Sequence, residues 1–192
     1  YFDVIPKSVD EYHHHLESLA TQDEAAQLAN PAWHIHGGKA PKNDMVVSYA
    51  MLLNLASVAN AEDKDTLWGF IRKYAPEANA QTHPGLDAAA GYAVRYFKDF
   101  VKPAKVYRAA DEQERAALTD LAARLKVWDR GTNAEDLQSL VFAVGRDNEF
   151  DPLRLWFKAI YEVLLGAEQG PRFGGFIALY GVEETIALIE AA

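Results

Sequence analysis

Cysteine is absent from this chain of 192 residues, and so is any apolar run long enough to cross a membrane. Without cysteine there are no disulfides, no thiolate zinc site and no cysteine nucleophile. The lack of disulfides favours an intracellular protein, and the chain is predicted to be cytoplasmic. The longest apolar run, residues 45–59, is interrupted by polar side chains and is shorter than the roughly 20 residues that a bilayer span needs. It predicts a buried helix, and no membrane partner is expected.

The motifs that mark common enzymes are missing as well. The Gly-Lys pair at residues 38–39 lacks the glycine of a phosphate-binding loop, since Trp33 stands five positions before Gly38 and Ala40 replaces the serine or threonine. No Gly-x-Ser-x-Gly elbow supports a serine nucleophile. His34 and His36 would face the same way on an extended segment, but no third metal ligand is evident, and a structural loop is the favoured interpretation. No catalytic residue and no metal ligand is therefore assigned.

Charge is unevenly distributed along the chain. The formal net charge is −9, which is unusual for a nucleic-acid-binding protein because such proteins need cationic side chains against phosphate. Residues 1–60 carry three basic and seven acidic side chains, and residues 111–192 carry eight and fifteen. Residues 61–110 carry eight basic and six acidic side chains, so only the middle of the chain is positive.

A stripe of basic residues lies within this positive segment. Its members recur at three- and four-residue steps, which aligns them along one side of a helix. They are Arg95, Lys98, Lys102 and Lys105, with Arg108 close behind. The stripe is predicted to follow the phosphates of a nucleic acid. The alternative interpretation is an ordinary solvated helix face.

Nearly every segment is predicted to be helical, and no alternating strand pattern competes. Three helices are expected to begin at capping boxes, in which the cap side chain and a glutamate three residues later satisfy each other's backbone N–H groups. The pairs are Thr21 with Glu24, Asp111 with Glu114, and Thr132 with Glu135. Elsewhere, Asp44 is expected to cap the helix over residues 45–59 and Asn60 the helix over residues 62–74. A long helix is predicted from residue 86 towards residue 102.

The last forty residues carry the clearest local signals. Asp151 is a suitable N-cap and Pro152 suits the first helical position, so a buried helix, apolar almost all round, is predicted to begin at Pro152. Gly166 is placed to end this helix in a left-handed conformation. The Gly-Pro pair at residues 170–171 then prevents continuation before a short helix that closes at Gly181.

Aromatic residues beside basic ones are of interest because unstacked RNA bases bind to rings and to guanidinium planes. Arg172 and Phe173 form the sharpest instance, since they open a short helix whose N-terminus favours a phosphate. Weaker instances are residues 96–98, residues 105–108, and Trp68 with Arg72. For each aromatic residue the alternative interpretation is packing in the core.

The order of these C-terminal features resembles the end of class I lysyl-tRNA synthetases. A similar succession ends the related glutamyl-tRNA synthetases, where it belongs to the anticodon-binding region. Five further blocks, in the right order, look like the bacterial branch of the lysyl family. They are residues 1–7 (YFDVIPK), 33–38 (WHIHGG), 61–64 (AEDK), 67–71 (LWGFI) and 100–105 (FVKPAK).

The resemblance implies an all-α fold, a helical bundle made of a connecting helical portion and two helix-cage subdomains that bind an anticodon. The expected boundaries are residues 1–44, 45–110 and 111–192. The chain would then be the C-terminal anticodon-binding domain of a class I lysine–tRNA ligase, cut from a longer polypeptide. Its expected partners are tRNA(Lys) and the N-terminal catalytic domain of that polypeptide.

The HIGH and KMSKS signatures of the family's catalytic domain do not occur in this sequence. The ATP and lysine sites are therefore expected in that other domain, and no cofactor and no catalysis are expected in this chain. The alternative function is an all-helical protein-interaction module that does not bind nucleic acid. Binding by such a module would lack the salt dependence that phosphate contacts produce.

Overall fold

Helices make up all of the regular secondary structure in the computed structural model, which describes residues 4–192. The all-α prediction is therefore confirmed. Residues 1–3, which open the first block of family resemblance, lie outside the described residues.

The helices form three groups along the chain. The first comprises α1 (Ile5–Leu19), α2 (Glu24–Ala29) and α3 (Pro31–Ile35). The second comprises α4 (Tyr49–Val58), α5 (Lys64–Tyr74), α6 (Pro84–Tyr96), a first π-helical segment (Phe97–Val101) and α7 (Lys102–Ala104). The third comprises α8 (Glu112–Lys126), α9 (Ala134–Asp147), α10 (Arg154–Ile160), a second π-helical segment (Tyr161–Leu165), α11 (Phe173–Tyr180) and α12 (Val182–Glu190).

Buried apolar side chains form one cluster in each group. The N-terminal cluster is small, with Leu16, Leu19 and Ala32 at its centre. The other two are large, and α11 contributes to both: Ile177 belongs to the cluster of the third group, whereas Leu179 belongs to that of the second. Accordingly, α11 packs against α9 on one side and against α4 and α5 on the other.

Local signals fixed several helix ends as predicted. The capping box at Asp111 is complete, since Asp111 Oδ1 accepts from the N–H of Glu114 at 2.8 Å and Glu114 Oε2 accepts from the N–H of Asp111 at 2.9 Å. Gly166 ends the second π-helical segment in the left-handed region, at φ 62°. The short helix α11 closes at Gly181, also as predicted.

Two other predicted capping boxes are wrong by one or two residues. Asp23, rather than Thr21, caps α2 and accepts from the N–H of Ala26 at 2.9 Å. Asn133, rather than Thr132, caps α9. In both places an Asp or Asn one or two residues later takes the position, and these residues are better N-caps than threonine.

Tertiary contacts shift the start of α4. The helix begins at Tyr49 behind Ser48, whose Oγ accepts from a backbone N–H of the first turn, and not behind Asp44. Asp44 instead accepts from the N–H of Gly85 at 2.7 Å and supports the start of α6. Asp10 of α1 accepts from the N–H of Tyr49, so the start of α4 is also held by another helix.

Two further starts lie later than predicted. Asp63, not Asn60, caps α5, and Asn60 adopts a left-handed conformation at φ 45°. The helix predicted from Pro152 begins at Arg154 with Leu153, not Asp151, in the cap position. The reason is a turn in which the N–H of residue 155 donates to the carbonyl of Pro152 at 2.9 Å.

The long helix predicted over residues 86–102 exists in its extent, because α6, the first π-helical segment and α7 follow one another without a break. The change of pitch over Phe97–Val101 was not predicted. A π-turn is wider than an α-turn, so three- and four-residue steps no longer align side chains strictly in this segment. This π-helical segment contains Lys98, in the middle of the basic stripe.

Candidate nucleic-acid interface

Two lysines of the basic stripe converge on one carboxylate. The Nζ atoms of Lys98 and Lys102 lie 3.2 Å and 3.0 Å from the carboxylate oxygens of Glu62, the residue before the cap of α5. The hydrogen bond from Lys102, followed by that from Lys98, lowers the pKa of Glu62 below its ordinary value. Two ammonium groups therefore share the carboxylate of Glu62. Exposed ion pairs are weak, so these lysines can exchange Glu62 for a phosphate at little cost.

Arg95 precedes this cluster by one helical turn and is exposed. No carboxylate of residues 4–192 pairs with it. The stripe thus has an unpaired guanidinium at its α6 end and a partly neutralised lysine pair beyond it. The arrangement is consistent with a surface that meets phosphates, and that role stays a prediction.

Lys105 begins an extended linker, residues 105–111, between the second and third groups. Its Nζ donates to the carbonyl of Ser57 at 2.9 Å and lies 4.8 Å from the centroid of the Tyr107 ring. The N–H of Val106 donates to the carbonyl of Gly166 at 3.3 Å. The start of the linker is therefore attached to both larger groups.

Arg108, near the other end of the linker, forms ion pairs with two glutamates of the third group. Its Nη1 and Nη2 atoms each lie 2.6 Å from a carboxylate oxygen of Glu114, and its Nε lies 2.6 Å from Glu162. Glu114 is buried, and hydrogen bonding from Arg108 lowers its pKa despite that burial. The same two carboxylates raise the pKa of Arg108. The guanidinium of Arg108 is thus engaged by protein groups, although it lies close to the predicted interface.

Phe173 does not lie where it was predicted to bind a base, whereas the role of Arg172 stays a prediction. Phe173 is completely buried and stacks on Phe176 with ring centroids 5.2 Å apart, so its role as a stacking surface for a base is corrected to a core role. Arg172 is exposed and holds Glu135 through two hydrogen bonds of 2.6 Å and 2.9 Å. Close packing of α11 on α9 explains the difference. The N-terminus of α11 faces protein there, and the N–H of Gly174 already donates to a side chain of α9 at 2.8 Å.

Trp68 is also a core residue rather than a stacking surface. It is almost completely buried, and its Nε1 donates to Asp87 at 2.9 Å. Arg72 is exposed one turn further along α5, with its guanidinium carbon 5.8 Å from the centroid of the tryptophan ring. Of the two interpretations that the sequence left open for Trp68, core packing is therefore the correct one.

The histidines that suggested a metal site have other partners. His34 Nε2 lies 2.7 Å from the carbonyl oxygen of Leu28, and His36 Nε2 lies 2.8 Å from the hydroxyl of Tyr12. Nowhere in the described part of the chain do three potential metal ligands converge. That part also contains no helix with the length and apolar character of a membrane span.

Sequence reasoning ranked Tyr107 low and did not single out Glu62. Tyr107 is exposed, whereas Phe173, the aromatic residue that ranked above it, is buried. The available signal was its position between Lys105 and Arg108 in a segment without helical periodicity. Glu62 lacked any signal, because its pairing depends on how α5 packs beside α6.

Similar proteins identify the family. No family model matches the chain. It is 65% identical over 192 residues to a lysine–tRNA ligase of Roseobacter denitrificans, an alignment that covers 100% of this chain and 36% of the relative. Lysine–tRNA ligases of Rickettsia felis and Rickettsia conorii are 45% and 44% identical over 196 residues, covering 99% of this chain and 37% of each relative. The chain thus spans little more than a third of the length of these relatives. Because the similarity extends over the whole chain, the chain belongs to the lysine–tRNA ligase family and corresponds to one part of these relatives.

Proposed function

We propose that this chain is the C-terminal anticodon-binding region of a class I lysine–tRNA ligase, a cytoplasmic enzyme, and that it binds tRNA(Lys). The observation that carries the proposal is 65% identity along the whole chain to the ligase of Roseobacter denitrificans. That relative contains a further part, nearly two thirds of its length, that this chain does not cover. In this proposal the catalytic domain, with the ATP and lysine sites, lies in that other part.

The charge distribution supports a localised RNA contact. An acidic protein repels a polyanion at a distance, so binding requires a cationic patch that displaces counterions at the point of contact. Arg95, Lys98, Lys102 and Lys105 supply four positive charges along this segment, and two of them, Lys98 and Lys102, share the carboxylate of Glu62. The patch lies where the second group of helices ends and the linker to the third begins, so bound RNA would reach both larger groups.

Binding of the chain to tRNA(Lys) and to tRNA(Glu) over a salt series tests the proposal. The lysine and glutamate anticodons share their first two bases, so a chain that distinguishes these two tRNAs by the anticodon must recognise the third base. We expect the chain to bind tRNA(Lys) more tightly than tRNA(Glu). The logarithm of the binding constant should fall linearly with the logarithm of the salt concentration. Absence of tRNA binding, or binding without that salt dependence, would favour a protein-interaction module instead.

Replacing Lys102 or Lys105 with alanine is expected to weaken the binding of both tRNAs about equally. A phosphate contact carries no sequence information, and each lost contact should reduce the slope of log affinity against log salt by about one unit. Lys126→Ala is the matched control, because this exposed lysine also pairs with a single glutamate but lies on α8. An unchanged slope in both stripe variants would leave the stripe as ordinary solvated surface.

Arg172→Ala is expected to reduce the preference for tRNA(Lys) over tRNA(Glu) by about 1–3 kcal/mol, the scale of one lost base contact. Its exposed pair with Glu135 contributes little to folding, so the melting temperature should change only slightly. Glu135→Gln is the matched control, since it removes the same pair and keeps the guanidinium. A lowered melting temperature in both variants with an unchanged binding ratio would assign Arg172 a structural role.

A further inference from the structure

The linker between the two larger groups presents an aromatic ring to solvent. Tyr107 is 56% exposed and its neighbour Val106 is 75% exposed, in a segment without regular secondary structure. We propose that Tyr107 is a stacking platform for one unpaired base of the bound RNA loop. This inference rests on the proposed function and extends it, because it names a residue that carries binding energy through a base rather than through a phosphate.

The ring of Tyr107 is held in place before any RNA binds. The linker backbone beside it is pinned by the hydrogen bond from Val106 to Gly166. Gly166 lies beside the edge of the ring formed by Cδ1 and Cε1: a Cβ added there would be 3.4 Å from both of these atoms of Tyr107, and only 2.8 Å from Cγ of Lys105. The left-handed backbone of Gly166 and this close approach both require glycine. A ring fixed in this way loses little conformational freedom when a base stacks on it.

Lys105 adds a charge to this platform. Its ammonium lies 4.8 Å from the ring centroid and is itself anchored on the carbonyl of Ser57. Single-stranded nucleic acid binds where a basic track runs beside aromatic rings, because the cations meet phosphates and the rings meet bases. Lys102 and Lys105 precede the ring in the chain and Lys98 joins Lys102 at Glu62, so the track of the proposed interface leads to Tyr107.

Other exposed aromatic residues lack this combination. Tyr92 is 60% exposed but lies within α6, and Tyr74 lies at the end of α5. Phe173 and Trp68 are buried. Among the described residues, Tyr107 thus combines an exposed ring, a cation over that ring and a fixed backbone outside a helix.

Stacking is tolerant of base identity, since every base has a π face. Tyr107 is therefore expected to set affinity for the loop, whereas Arg172 was proposed to set preference between loops. Tyr107→Ala should raise the Kd for tRNA(Lys) and for tRNA(Glu) by a similar factor, about tenfold or more. Tyr107→Phe keeps the ring and should bind like the unaltered chain.

The test uses the full chain and RNA hairpins with the sequence of the tRNA(Lys) anticodon stem and loop, each carrying 2-aminopurine at one loop position. We expect binding to change the fluorescence at one position in particular. That change should be lost in Tyr107→Ala and retained in Tyr107→Phe and in Tyr92→Ala, which removes a comparably exposed tyrosine from α6. Thermal unfolding followed by circular dichroism checks that each variant is folded.

Two failures can be told apart. If the unaltered chain binds no tRNA, the proposed function is wrong and the inference falls with it. If the unaltered chain binds tRNA(Lys) and Tyr107→Ala binds with the same Kd and the same fluorescence change, the proposed function stands and the inference about Tyr107 is wrong.

Discussion

Replacing Gly174 with alanine is expected to lower the free energy of unfolding by about 3 kcal/mol, even though alanine is the better helix former. A Cβ on this residue would lie 2.5 Å from the carbonyl oxygen of Ala134 and 2.6 Å from Cα of Gln138. Both are backbone atoms of α9, so the clash is relieved only if α9 and α11 move apart. Because these two helices build the core of the third group, that movement loosens packing well beyond the site of the substitution.

Gly91→Ala is the matched control for this expectation. Gly91 lies inside α6, and a Cβ there would meet nothing within 4 Å. This substitution should therefore stabilise the chain by about 0.5–1 kcal/mol through helix propensity alone. Urea unfolding of the two variants measures both effects. A Gly174→Ala variant with the urea midpoint of the unaltered chain would contradict the close contact between α9 and α11.

Arg108→Ala is expected to lower the free energy of unfolding by about 2 kcal/mol at pH 7, because the variant leaves the buried carboxylate of Glu114 without its cation. The loss should depend on pH. Arg108 lowers the pKa of Glu114 in the folded chain, so the pair contributes stability above the unfolded-state pKa of about 4.3 and loses it as the pH falls through the folded-state value. Urea unfolding at neutral and at acidic pH should show the two proteins converging in stability on the acid side.

Arg115→Ala is the control for the loss of an arginine near the same helix start. The guanidinium of Arg115 donates to the carbonyl of Ala110 at 3.2 Å and is exposed. Its removal should change the free energy of unfolding by no more than about 0.5 kcal/mol. If Arg108→Ala is equally mild, or if its effect is the same at both pH values, the ion network does not stabilise the linker as described.

The fold class and most helices could be predicted from the sequence because their signals are local. The cap at Asp111 and the left-handed stop at Gly166 depend on residues within one turn of the helix end. The start of α4 could not be predicted in this way. Ser48, Asp44 and Asp10 can all accept hydrogen bonds from backbone N–H groups at a helix start. Only the packing of α1 and α6 beside α4 decides which N–H group donates to each of them. The π-helical segments lack a comparable local signal.

The basic residues of the candidate site could be predicted from the sequence, but the exposure of its aromatic residues could not. The basic residues over 95–105 do lie on the surface, since charged side chains are rarely buried without a partner. The aromatic residues were harder, because a ring in an apolar helix is suited equally to a core and to a base. Phe173 and Trp68 are in the core because α11 and α5 each pack against several helices, whereas Tyr107 lies in a linker and its side chain is exposed.

The helix α11 lies between the two larger clusters, and this position restricts how the second and third groups can move against each other. One face of this helix completes the core that contains Ile177 and another completes the core that contains Leu179. A rotation of the third group about the linker would pull one of these faces out of its core and expose apolar surface to water. The linker therefore does not act as a hinge between the two larger groups. The two surfaces beside it therefore keep a fixed separation, and we expect no rearrangement of the two groups against each other when a partner binds.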